Sequence, residues 1–317
     1  MLTAVALANG PALQDKPAAA KKAYKIGVIA KSESNPVFQA ARVGAQDAAK
    51  EIGAKLGIEI QILWRTPPDE DAQKQAAFLD QLVAAGVDGI AISCSDATKV
   101  TAAIDKAVDS GVEVACFDSD APKSKRFVCH GVDDVECGKQ VMVELAKAIG
   151  ENGGKIAILA GNQTAPNLQL RVKGVKDELA KHPNIKLVDV FYHKETPQDA
   201  AAKVQEVQTA NPDIVGWAMI GGWPLFSDAL MTWKPGEVKI VAVDALPAQL
   251  KYAEKGIVQV LLAQRVHDWG HRSVELLIDK IHNKKSPPSP KDVAQLDRVT
   301  AENVKGYAKN WDTWLPK

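Results

Sequence analysis

Short apolar runs alternate with longer amphipathic stretches from Lys25 to Val243, and this alternation constrains the fold more than any other feature of the chain. Lys25–Ala30, Glu59–Trp64, Gly89–Ser93 and Val112–Phe117 have strand length and strand composition. Between them, Pro36–Leu56 places Val37, Ala40, Ala41, Ala45, Ala48, Ala49 and Ile52 on one helical stripe, and helices are predicted over 69–85 and 97–110, each ended by a glycine. Strands that follow one another through helices pair in parallel, which requires a sheet covered on both faces. The pattern restarts after Gly131: helix 136–149, strand 155–159, helix 168–181, strand 186–191, helix 198–209, strand 214–220, a helix near 225–232 and strand 238–243. At roughly 150 residues per domain, a chain of 317 residues accommodates two such units.

A quasi-repeat supports the division. Gly-Val-Asp88-Gly-Ile-Ala-Ile-Ser leads to Val-Ala-Cys-Phe-Asp118, and Asn-Pro-Asp213-Ile-Val-Gly-Trp leads to Ile-Val-Ala-Val-Asp244. Each unit therefore ends a strand in Asp. Open parallel sheets bind ligands just beyond the carboxyl ends of their strands, so Asp118 and Asp244 are candidate ligand contacts. The competing reading is that each caps a following helix or turn.

Composition removes several function classes. Thirty-nine Lys and Arg balance thirty-nine Asp and Glu, so the one-signed field of a nucleic-acid or anionic-membrane binder is missing. No run of eighteen uncharged apolar residues occurs in the sequence, so no spanning helix is expected. The start, Met1 to Ala8 ending in Ala-Leu-Ala, followed by an Ala/Lys/Pro-rich stretch to Lys22, reads as a partial export leader over 1–24, with a short mobile leader as the other reading. The four cysteines (94, 116, 129, 137) lack paired CxxC spacing, which argues against zinc and leaves free thiols or a disulfide. Gly150 to Lys155 is one residue short of a phosphate loop and precedes a strand, so it reads as a turn. Neither G-x-S-x-G, G-x-G-x-x-G nor H-E-x-x-H occurs. His267 and His271 lie four apart on a predicted helix without a third ligand in the sequence nearby, a spacing that fits solvated or capping roles. No enzyme, no metal and no cofactor is expected.

Hydroxyl-recognition chemistry is dense at the strand ends instead: Asn35 and Phe38 after the first strand, Asp118-Ser119-Asp120 after the fourth, Asn162 to Arg171 (with Asn167) in the second half, and Asp244. Carboxylates and amides match sugar hydroxyls, Arg spans two oxygens, and an aromatic face covers the C–H side of a sugar ring.

Taken in order, Asn35-Pro-Val-Phe38, Gly44-Ala, Gly-Val-Asp88-Gly-Ile, Phe117-Asp118, Asp133-Asp134, Arg171-Val-Lys-Gly174, Val243-Asp244 and Ala263-Gln264 resemble the periplasmic sugar-binding proteins of ABC importers, the ribose-binding-like type I group, over residues 25 to 317. The resemblance implies ligand contacts at Asn35, Phe38, Asp118, Arg171, Asp244 and Gln264. Val37, Ser119, Glu195 and Gly221 depart from the ribose pattern, so a ligand other than ribose is implied. Lys31, Trp64-Arg-Thr-Pro-Pro68 and the ending Val299 to Val304 resemble a neighbouring branch that binds rhamnose or autoinducer-2, which adds Lys31. Ser119, Asn167, Glu195, Trp223 and Trp269 are further candidates for the cleft; the other tryptophans considered, at 217, 233, 311 and 314, are assigned to packing.

By this resemblance the fold is α/β: two doubly wound parallel-sheet lobes joined by a three-segment hinge, with crossings near Gly131–Asp133, Gln264–Arg265 and Pro287–Pro290. One lobe comprises 25–131 plus 265–290, the other 132–264 plus 291–317. The implied function is capture of a sugar or polyol by hinge closure, in the periplasm, by a monomer that delivers it to the membrane permease of an ABC importer. A signalling receptor of the same fold is the alternative. A repressor-type regulator would need a DNA-binding domain ahead of the first strand, and only about 24 residues precede it.

Overall fold

A computed structural model describes residues 21–315. The leader expectation falls largely on residues outside this range, and Ala23 and Tyr24 already belong to the first strand. The first lobe opens with β1 (Ala23–Ile29), α1 (Pro36–Leu56), β2 (Glu59–Trp64), α2 (Ala72–Ala84), β3 (Gly89–Ile92), α3 (Ala97–Asp109), β4 (Glu113–Phe117) and β5 (Val128–Gly131). The second comprises α4 (Asp134–Ile149), β6 (Gly154–Ala160), α5 (Pro166–Leu179), β7 (Ile185–Tyr192), α6 (Pro197–Ala210), β8 (Ile214–Met219), β9 (Lys239–Val243), α7 (Pro247–Glu254) and β10 (Val260–Ala263). The chain then returns through α8 (Val266–Ile281) and β11 (Lys291–Val293), and ends with β12 (Asp297–Val299), α9 (Val304–Ala308) and α10 (Trp311–Trp314).

Two six-stranded sheets result, ordered β11-β5-β4-β3-β1-β2 and β12-β10-β9-β8-β6-β7. All pairs are parallel except β10 with β12. Apart from the added edge strands β11 and β12, the two orders are the same. In each, the order reverses beside the first strand, between β1 and β3 and between β6 and β8, so a crevice opens at those carboxyl ends. Strand interiors such as β3 are buried throughout, as sheets covered on both faces require.

Local signals place the elements. Asp71, Asp96, Asp133 and Thr196 accept N-terminal backbone N–H groups of α2, α3, α4 and α6. The helix predicted near 225–232 is instead a 3₁₀ turn, Trp223–Leu225, followed by turns. Pro224 lies within the 3₁₀ turn, and bends and turns carry the chain from there to β9. Strands β5, β10, β11 and β12 and helix α7 have no counterpart in the periodicity reading. They are short, and three residues carry no period.

The third crossing lies later than the Pro287–Pro290 region. Strand β11 pairs with β5 of the first sheet, Lys291 opposite Cys129 and Val293 opposite Gly131. Asp292 on it accepts from Arg272 of α8 at 3.0 and 3.1 Å and lies 2.7 Å from His130 Nδ1. These partners hold its carboxyl well below the usual range, His130 first and Arg272 next. The chain passes to the second sheet only after Val293, where Asp297 joins β12 and pairs with Arg265 at 3.0 Å.

Candidate functional site

The site grows from the four strand ends at the two switch points. Gln75, fully buried on α2, fixes the first: its amide donates to the carbonyls of Ala30 at 2.9 Å and Ser93 at 2.7 Å, and it accepts from the Ser95 N–H at 3.0 Å. The same amide chemistry recurs in the second lobe. Gln249 on α7 donates to the carbonyls of Val243 and Asp244 and accepts from the Leu246 N–H. Two unrelated-looking glutamines thus hold the termini from which Lys31, Ser93 and Asp244 project.

Asp118 and Asp244 occupy matched positions, and both have left-handed backbones, with φ of 56° and 72°. A non-glycine residue at positive φ is uncommon, with Asp and Asn the most tolerant. Each donates its N–H to the next strand, Asp118 to His130 O and Asp244 to Leu262 O, both at 2.9 Å. The left-handed turn aims each carboxylate into the crevice. Neither caps a helix: β5 follows Asp118 without an intervening helix, and the cap position of α7 is Leu246. The capping reading therefore fails.

Two hydrogen-bonded chains result. In one, Asp118 accepts from Ser93 Oγ at 2.8 Å on Oδ2 and from Asn167 Nδ2 at 3.1 Å on Oδ1, and Lys31 Nζ lies 3.6 Å from Oδ2. Lys31 also donates to Asn167 Oδ1 at 3.2 Å, so Asn167 of the second lobe is held by two residues of the first. In the other, Arg171 donates from Nε to Asp134 at 2.8 Å, to the Ile220 carbonyl at 3.2 Å and to Gln264 Oε1 at 2.9 Å, while Gln264 donates to Asp244 at 2.8 Å.

Arg171 can sit there because α4 and α5 approach backbone to backbone. A side chain at Gly138 would overlap the Arg171 carbonyl, and one at Gly174 the Val135 carbonyl. The first lobe packs α1 on α8 through Gly44 and Gly270 in the same manner.

The electrostatics follow from burial. Lys31 is 3% exposed; burial alone would lower its pKa, but Asp118, then Glu70 and Glu195, hold it above its ordinary value. Arg171 is raised in the same way against burial, chiefly by Asp134. Asp134 and Asp244 are both pushed up to about 6 by burial, with Arg171 opposing. One guanidinium serves two carboxylates, and it reaches Asp244 only through Gln264.

Lys31, Asp118 and Asn167 thus meet in one chain, and Arg171, Asp244 and Gln264 in the other. Other candidates lie elsewhere. Asn35 caps α1, its Oδ1 accepting from the Val37 N–H at 3.3 Å. Phe38 and Trp269 pack on each other, ring centroids 5.9 Å apart, with Phe117 beside Trp269 in the first-lobe core. Trp223 belongs to the second-lobe core and meets His193 edge-on at 5.0 Å. Ser119 is fully buried and its hydroxyl has no partner among the described residues. Glu195 accepts from the Asn162 N–H at 3.0 Å at the outer end of the cleft. Sequence reasoning assigned no role to Ser93, Asp134 and Glu70; Asp134 lay in a quoted motif and Ser93 closed the quoted quasi-repeat, whereas Glu70 lay in neither.

The chain matches the family described as "Periplasmic binding protein domain" over residues 26–285. It belongs to that family. Among its relatives, the D-apiose import binding protein of Paraburkholderia graminis is 25% identical over 71% of this chain and 70% of its own length. The D-allose-binding periplasmic protein of Escherichia coli is 23% identical over 85% and 88%. Among solved structures, an ABC transporter solute-binding protein from Burkholderia graminis in complex with D-arabinose shares 29% identity and a TM-score of 0.82, covering 91% of this chain and 99% of that one. This family membership carries the two-lobed α/β fold and a binding role. No described helix is long and apolar enough to cross a membrane.

Proposed function

We propose that this periplasmic binding protein captures a sugar in the cleft between its lobes by hinge closure, as a monomer outside the cytoplasm, and hands it to the membrane permease of an ABC importer. The observation that carries the reading is the pair of matched switch points whose polar groups meet across the lobes: Lys31 and Asp118 from one, Asn167 from the other. The lobes are 23–131 with 265–293, and 132–264 with the chain from Asp297. The contacts are Lys31, Asp118, Asn167, Arg171, Asp244 and Gln264. A sugar hydroxyl both donates and accepts, so ligand hydroxyls can replace the Asn167–Asp118 and Gln264–Arg171 bonds without leaving a buried group unpaired. Relatives named as import binding proteins support transport as the role and binding without turnover. The test is thermal unfolding with D-ribose, D-allose, D-apiose, D-arabinose and their epimers. Ligand at a hundred times its Kd stabilises by about 2.7 kcal/mol; a screen of pentoses, hexoses, amino sugars and polyols in which nothing shifts the melting of folded protein would overturn the reading.

A further inference from the structure

The deep network is satisfied from within, and the open space of the cleft lies at its outer end. A cavity of ≈ 730 Å³ is lined by Ser32 and Glu70 of the first lobe and by Asn162, His193 and Glu195 of the second. There two carboxylates from opposite lobes converge on one residue. The Asn162 N–H donates to Glu195 at 3.0 Å, and Asn162 Nδ2 to Glu70 at 3.4 Å. The basic group acting on Glu70 is Lys31, which Asp118 and Asn167 already engage.

A second observation marks the cavity as built for a ligand. Ser32 is 4% exposed, lines the cavity, and its hydroxyl makes no hydrogen bond among the described residues. A hydroxyl on a buried residue normally finds a partner, so an unpaired one on a cavity wall indicates a group that a ligand satisfies.

The charge inventory then selects the ligand. Glu70, Asp118, Asp134, Glu195 and Asp244 surround two buried cations, Lys31 and Arg171, and the further cation on the cavity wall, Lys194, is exposed. Partly buried carboxylates that face each other repel, and a cation or proton between them relieves the repulsion. Neutral hydroxyls donate hydrogen bonds but bring no charge. Among the described residues no cluster of three or more metal-ligating side chains forms, which disfavours a metal as that cation. We infer that the ligand carries a protonated amine, as an amino sugar does, with Glu70 and Glu195 receiving the ammonium and Ser32 an adjoining hydroxyl. This rests on the sugar-capture reading and names the ligand class at the outer end of the same cleft. When no amine is bound, a proton takes its place: burial, and then the facing Glu195, push Glu70 up to about 7.

Calorimetry with D-glucosamine, D-galactosamine and D-mannosamine, each beside its parent hexose and its N-acetyl form, tests the inference. Charge-assisted hydrogen bonds exceed neutral ones enough for at least roughly tenfold tighter binding of one amine than of both its uncharged counterparts. In Glu70→Gln and Glu195→Gln the ratio of amine to N-acetyl affinity should fall toward unity, and taking the ratio within each variant cancels any loss that both ligands share. Parent or N-acetyl sugars binding as tightly as the amines, or an amine advantage that survives both substitutions, would overturn the assignment. Binding confined to neutral sugars such as D-ribose or D-allose would do so while leaving sugar capture standing. Failure of every sugar to bind folded protein would remove both.

Discussion

Replacing Asp118 by Asn removes one charge from the closed cleft and little else. The amide keeps the size of the carboxylate, and Asn tolerates the left-handed backbone at φ 56° as Asp does, whereas Ala would add backbone strain of about 1–2 kcal/mol. What is lost is the partner of Lys31 at 3.6 Å and one acceptor for Ser93 at 2.8 Å or Asn167 at 3.1 Å. A hydrogen bond to a charged group contributes about 1.5–3 kcal/mol, and breaking a buried ion pair from one side costs about 3–5 kcal/mol. These overlap, because Lys31 is 3% exposed and its stranded charge is the larger share. Opening the lobes returns Lys31 to water, so the cost of about 3–5 kcal/mol falls on the closed form. Ligand affinity, which depends on closure, should drop roughly 10²- to 10⁴-fold, while the melting of unliganded protein changes much less. Titration calorimetry with the tightest sugar, paired with a melt of each protein, measures both. A Kd within about threefold of the native value, or a melting loss that accounts for the whole effect, would refute the reasoning.

Other expectations follow from the same contacts. Glu70 is raised on burial from 4.5 to about 7, so the closed form binds a proton that the open form releases; closure is favoured below pH 4.5 and weakens as pH rises through 7. Affinity for a neutral sugar should therefore fall across that window; Asp134 and Asp244, raised to about 6, share its lower part, so Glu70→Gln should flatten the profile between about 6 and 7, and an unchanged slope there would contradict the assignment. Gly138→Ala gains about 1 kcal/mol of helix propensity, yet its side chain would meet the Arg171 carbonyl and force α4 and α5 apart, at about 1–3 kcal/mol. A lower melting midpoint and weaker sugar binding are expected, and a rise in both would show that the helices yield. Asn167→Ala deletes the bond to Asp118 and the acceptor for Lys31, so the unliganded protein should spend more time open, seen by small-angle scattering as a larger radius of gyration; an unchanged radius would count against a closing role.

Much of this was legible from residue order. The alternation of strand and helix announced two parallel sheets, and the quasi-repeat placed Asp118 and Asp244 at equivalent strand ends before any coordinates. What stayed hidden depends on neighbours in space. Ser93 reaches Asp118 because β3 lies beside β4, with Ile92 opposite Cys116, a register no spacing of letters conveys. Glu70 sits in the irregular segment between β2 and α2, where hydrophobic periodicity says nothing. The third crossing was misplaced because four residues with three prolines resemble a linker, whereas the three-residue strand behind them is fixed by Arg272 and His130. Phe38 reads as a sugar contact and Trp269 as a cleft residue in sequence, and their rings pack at a tilt on each other in the core.

The central claim is that the two lobes each supply half of one sugar site. A crystal structure with a bound sugar tests it most directly. The account predicts ligand oxygens within hydrogen-bond distance of Asp118 from one lobe and of Arg171 and Asp244 from the other, with the Asn167–Asp118 or Gln264–Arg171 bond replaced by contacts to ligand. A sugar held by one lobe alone, or bound outside this cleft with the network intact, would contradict it.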